Sequence, residues 1–99
     1  MMKKLFISQP MKGKTDEQIL KERQQAINAA KEIAGQDIEV IETFYADFGP
    51  DAKPLEYLGR SIMDLAKADI AYFAPGWREA RGCKIEHECA VEYCIDRIE

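Results

Sequence analysis

The chain has 99 residues, 46% hydrophobic and 32% charged, with a formal net charge of −4. That suffices for one domain (1–99) with a single core and little to spare, and it offers no basic face to polymeric DNA or RNA. The apolar run Leu5, Phe6, Ile7 after two lysines is far too short for a signal peptide, no later run approaches a membrane span, and the three cysteines form no disulfide scaffold; a cytoplasmic protein with no membrane partner is predicted.

Residues 4–8 (KLFIS) read as a first strand, closed by a loop over 9–14 (QPMKGK). Thr15 offers an N-cap with Gln18 three residues on, and Asp16 and Glu17 suit the positive end of a helix dipole. The helix keeps Ile19, Leu20, Ala26, Ile27, Ala30, Ile33 and Ala34 on one face and stops at Gly35. Arg23 falls inside that stripe, either snorkelling along the sheet or holding an anion or a carboxylate.

A second strand is predicted over 38–44 (IEVIETF), with Glu39 and Glu42 interrupting it as on an edge. A loop over 45–53 follows, then a helix over 54–67 that opens on Pro54 and turns Leu55, Leu58, Ile62, Leu65 and Ala66 inward. Residues 70–74 (IAYFA) are the most apolar strand and so central. The last helix begins near Gly82, and 95–98 offers a short fourth strand. This alternation predicts an α/β domain with a parallel sheet in the order 2-1-3-4, a flavodoxin-like three-layer sandwich. The loops over 9–14 and 75–81 then meet at the switch point between the first and third strands.

On a wheel of about 100° per residue, Gly82, Cys83, Ile85, Cys89, Ala90 and Tyr93 share one face of the last helix, with Glu86 near its middle. A carboxylate stands where a core residue belongs, and desolvating it costs several kcal/mol. Glu86 is therefore a candidate functional group, with pairing to Arg23, Arg78 or Arg81, or a helix rotated so that Glu86 lies at the rim, as the structural alternatives. Lys12, Gly13 and Lys14, just before a helix N-terminus, form a candidate phosphate seat or an ordinary solvated turn. Trp77 either stacks on a base or caps the core. Cys83, Cys89 and Cys94 read as small buried hydrophobes and His87 as outward-facing. Cys94 lies about 16 Å along the helix from Cys83, so no closed metal site can be assembled.

The opening LFISQPMKGKT, the strand and loop ADIAYFAPGW and the helix RGCKIEHECA together resemble the nucleoside 2-deoxyribosyltransferase-like superfamily, most closely its small phage- and bacterium-associated branch, over nearly the whole chain. The family nucleophile, a glutamate four residues after a glycine at the start of this helix, matches Glu86 and Gly82. The resemblance implies cleavage or transfer at the N-glycosidic bond of a nucleoside or its 5′-monophosphate, without a cofactor. It places Ser8, Gln9, Lys12, Gly13, Lys14, Arg23, Gly76, Trp77, Arg81 and Gly82 around the substrate, with the first loop at the 5′-phosphate. A homo-oligomer is also implied, Tyr45, Phe48, Tyr57 and Tyr93 being aromatic candidates for the contact. Phe6 stands where the transferases carry a tyrosine and Ala80 where they carry an aspartate, which leaves the general acid open among Asp47, Asp51 and Asp64. A nucleotide-binding module without turnover is the alternative to an enzyme. A related phosphoribohydrolase class shares the Pro-Gly loop and helix glutamate, so ribose substrates stay in view.

Overall fold

The computed structural model describes residues 2–43 and 49–99. Strand β1 (Lys3–Ser8) leads into helix α1 (Asp16–Ala34), followed by β2 (Ile38–Val40), α2 (Pro54–Leu65), β3 (Ile70–Phe73), α3 (Arg81–Glu92) and β4 (Asp96–Ile98). A single 3-10 turn, Trp77–Glu79, links β3 to α3. All four strands are parallel in the order β2-β1-β3-β4. The predicted fold is thus observed, with β1 and β3 at the centre and Ser8 level with Phe73 at their C-terminal ends.

Side chains alternate across the sheet. Leu5, Ile7, Ile38 and Ile70 face α1, where Ala26 and Ala30 allow the helix close approach. Phe6, Ala71 and Phe73 face the other way and pack with Leu65 of α2 and Ala90 of α3. One helix therefore covers one face and two cover the other, which gives three layers.

The capping box at the start of α1 forms as the sequence predicts. Thr15 Oγ1 accepts the Gln18 N–H at 3.2 Å, and Gln18 Oε1 accepts the Thr15 N–H at 2.9 Å. At the other end Gly35 takes φ 66°, a left-handed conformation that a side chain would strain, and its N–H bonds the Lys31 carbonyl at 2.9 Å.

Several expectations about which residues are buried are corrected. Leu20, 62% exposed, and Ile33 lie outside the buried stripe of Ile19, Arg23, Ala26 and Ala30. The reason is that, among the described elements, α1 sits alone on its face, so only the line of contact with the sheet is covered. Leu55, in the first turn of α2, is 75% exposed because it lines an open cleft rather than the core. Tyr93, at the end of α3, is 79% exposed, Cys94 is exposed and Cys89 only half-buried. The stripe that α3 buries is Cys83, Glu86 and Ala90, and Ile85 turns away from it. His87 does not face outward: its ring stacks on Trp77 at 3.9 Å and meets the edge of Phe73 at 4.9 Å. Strand β2 is three residues long rather than seven, pairing with β1 alone at the sheet's edge, and β4 begins one residue later than predicted. Phe44, Tyr45, Asp47 and Phe48 lie outside the described residues.

The narrow stripe of α1 predicts that cap and flank respond differently. Thr15→Ala should lower stability by about 1 kcal/mol in urea denaturation, whereas Leu20→Ala should change it by less than about 0.5 kcal/mol.

Candidate functional site

Ser8 is the last residue of β1, and strand alternation turns it toward the face covered by α2 and α3. There its hydroxyl donates to Glu86 Oε1 at 2.6 Å. The other carboxylate oxygen accepts a short hydrogen bond from the hydroxyl of Ser61 on α2. Glu86 is 7% exposed. Its carboxylate thus joins β1, α2 and α3 at the C-terminal end of the central strands, where ligands bind in open α/β sheets.

Burial pushes the Glu86 pKa up, and the two serine hydroxyls pull against this without cancelling it. Among the described residues no arginine reaches the carboxylate and it does not lie at the rim, so neither structural alternative holds; hydroxyls satisfy it instead. The nearby Cys83 thiol is also raised, first by burial and then by the Glu86 charge, while the Ser8 hydroxyl and Lys14 act in the opposite sense. Cys83 stays a protonated filler beside the carboxylate.

Glu86 lies against an open cleft of about 790 Å³ between the first turns of α2 and α3. Leu55, Tyr57, Leu58 and Ile85 give it an apolar wall, Thr43 and Ser61 add hydroxyls, and Lys53 and Arg81 stand at its margin. Gly82 also lines it, and a Cβ there would meet no atom within 4 Å. A family model described as a domain of unknown function, DUF4406, matches residues 3–97. The chain belongs to that family. Comparison with curated proteins and with solved structures found no match.

The other predicted site residues of this DUF4406 domain divide between two further places. Gln9, one residue beyond Ser8, faces α1 and joins a polar network there. Its amide Nε2 donates to Glu22 Oε1 at 3.1 Å and to the Ile19 carbonyl at 3.3 Å, and its Oε1 accepts from Arg23 Nη1 at 3.1 Å. Lys14 Nζ donates to both oxygens of Glu22, at 2.9 and 2.8 Å. Arg23 is buried, and desolvation lowers its pKa against the opposing influence of Glu42. Gly13 turns the loop at φ 79°, and Lys12 is exposed. Arg23 thus braces Gln9 rather than Glu86, which lies across the sheet.

Gly76 and Trp77 line a separate depression of about 570 Å³ with Tyr72, Pro75, Arg78 and Ile98. Trp77 packs against the core on one side and carries the Arg78 guanidinium 4.8 Å from its ring centre. His87 Nε2, stacked beneath it, meets Glu99 Oε2 at 2.5 Å.

Of the acids considered from sequence, Asp64 is buried with Lys67 Nζ 3.5 Å away, and Asp51 is exposed before α2. Neither lines the cleft. Ser61, Lys53, Thr43 and Glu22 were not singled out from the sequence. The signal for Ser61 was present: it sits three residues after Leu58 and four before Leu65, on the face of α2 turned inward.

Because the folded state holds the Glu86 proton more tightly than the unfolded chain, the stabilisation from this group is full below the ordinary value of 4.5 and is lost as pH rises through the raised folded value. Glu86→Gln should therefore be more stable than wild type at neutral pH, with the difference shrinking to its minimum below pH 4.5, as followed by urea denaturation across pH. Ser61→Ala, which removes one donor to the charged form, should lower stability at pH 8 by about 1–3 kcal/mol and raise the Glu86 pKa further, as read by carboxyl carbon NMR.

Proposed function

We propose that this domain cleaves or transfers the N-glycosidic bond of a nucleoside or its 5′-monophosphate, with Glu86 as nucleophile. The observation that carries this reading is one buried carboxylate, hydrogen-bonded through both oxygens and presented to an open cleft with an apolar wall. A nucleoside suits such a cleft, its base lying against Leu58, Ile85 and Tyr57 while the sugar reaches the carboxylate. The resemblance of the chain to the nucleoside 2-deoxyribosyltransferase-like superfamily supports the same role for Glu86.

In this reaction a Glu86 oxygen attacks the anomeric carbon as the bond to the base nitrogen breaks. The electron pair of that bond goes to the base, which takes a proton from solvent entering the open cleft. The glycosyl ester on Glu86 is then attacked at the same carbon by water or by a second base, which loses a proton and releases the carboxylate. The Ser8 and Ser61 hydroxyls hold the carboxylate in place, and they donate to the negative charge that returns to it when the ester is cleaved. The nucleophile must be ionised, so its raised pKa moves the acid limb of the rate profile above the ordinary glutamate range.

A second reading, a nucleotide-binding module without turnover, draws on the fact that both Glu86 oxygens are already engaged and that, among the described residues, no second carboxyl lines the cleft. Assembly of copies to close the cleft belongs to either reading; Tyr57, which lines the cleft, and Tyr93 are both exposed.

Chromatography separates the two readings. Wild type incubated with deoxy- and ribonucleosides and their 5′-monophosphates should release free base, and Glu86→Ala should lower that rate by at least about a thousandfold. Release that is equal in both proteins would remove Glu86 from the chemistry, and saturable binding with no release would establish the binding module.

A further inference from the structure

The cleft beside Glu86 carries an unbalanced charge at its margin. Lys53 and Arg81 both line it, the first just ahead of α2 and the second opening α3. Neither side chain has an ion-pair partner among the described residues. Glu56, three residues after Lys53, turns its Oε2 back to the Lys53 backbone N–H at 2.9 Å. Glu86 is the only carboxylate among the cleft's described lining residues, and it lies at the buried end.

The first loop offers the opposite case. Lys14 is held by both oxygens of Glu22, whose Oε1 also takes the Gln9 amide, and neither Lys12 nor Lys14 lines the cleft. An anion binding to Lys14 would have to displace a carboxylate already making two charge-assisted hydrogen bonds. Lys53 and Arg81 require no such exchange.

We infer that Lys53 and Arg81 form the anion-binding end of the Glu86 cleft and that the ligand carries a phosphate there. This rests on the proposed glycosidic site for the orientation of the ligand. Arg81 precedes Glu86 by five residues, about 7.5 Å along α3, and Lys53 precedes Ser61 by eight, about 12 Å along α2. With the reach of two long side chains, these separations match a mononucleotide whose sugar is at Glu86. The guanidinium supplies a planar pair of donors to phosphate oxygens and the ammonium a point charge. The sequence drew attention to the lysines of 9–14 because they surround a glycine before a helix. Folding leaves one of those charges neutralised and brings two others, 28 positions apart in the chain, to the same cleft.

Isothermal titration calorimetry tests this on Glu86→Gln protein, in which turnover does not consume the ligand. The ligands are the four 2′-deoxynucleosides, their 5′-monophosphates and inorganic phosphate. At least one monophosphate should bind about tenfold or more tightly than its nucleoside, with affinity falling as salt rises. Lys53→Ala and Arg81→Ala, each added to that background, should each weaken the monophosphate about tenfold and leave the nucleoside unchanged. Together they should abolish the preference and any binding of inorganic phosphate, while Lys14→Ala leaves the preference intact. Both residues are exposed, so unchanged thermal melting is expected of the variants. The inference is overturned if no monophosphate binds, if no monophosphate is preferred, if the double variant keeps the preference, or if Lys14→Ala removes it. The two proposals fail separately: base release from nucleosides without phosphate preference leaves the chemistry and removes the anion seat, and phosphate preference without base release does the reverse.

Discussion

The burial of the Glu86 carboxylate is the constraint on which this structure turns. Removing a carboxylate from water is unfavourable unless its oxygens are satisfied, and here the two donors come from different elements, Ser8 of β1 and Ser61 of α2. The carboxylate on α3 therefore ties the end of a central strand to both helices on that face. Any shift of α2 or α3 against the sheet would leave a charged oxygen without its partner. The same geometry keeps the carboxylate in place where it lines a cleft.

The strand's alternation explains why a second polar cluster exists so close by without joining the first. Ser8 and Gln9 are adjacent, yet one faces α2 and α3 and the other faces α1. Gln9, Glu22, Lys14 and Arg23 satisfy one another there, and the Gln9 amide fastens the first loop to the second turn of α1. The loop is shaped by this network, and the charge of Lys14 is committed within it. The cleft's cations come instead from the starts of the two helices on the opposite face.

A third cluster closes the C-terminal side of the fold. Arg78, Trp77 and His87 form a stack against Phe73, and His87 meets Glu99 beyond β4. The interaction with His87 holds the Glu99 carboxyl below the usual glutamate range, with smaller contributions from Arg97 and Arg78. Aromatic packing thus joins the 3-10 turn, α3 and the last strand. It accounts for the placement of Trp77 within the fold without a ligand, in keeping with the core-capping role weighed for it from sequence.

What the sequence determined by itself was local or periodic. The capping box at Thr15, the stop at Gly35, the alternation of strands and helices and the strand order all follow from short-range chemistry and from the handedness of crossovers. The anomaly of Glu86 was legible too, because the polar residue interrupts an apolar helical stripe. The tertiary structure decided how wide each stripe is and which charges meet. Leu20 and Ile33 looked buried on a wheel, but α1 has no neighbour on its face among the described elements; His87 looked exposed, but the turn after β3 folds Trp77 over it. Ser61 meets Glu86 across 25 positions, and Lys53 and Arg81 share a cleft across 28. Such pairings depend on how helices pack over the sheet, and periodicity within one helix carries no information about its distance from another.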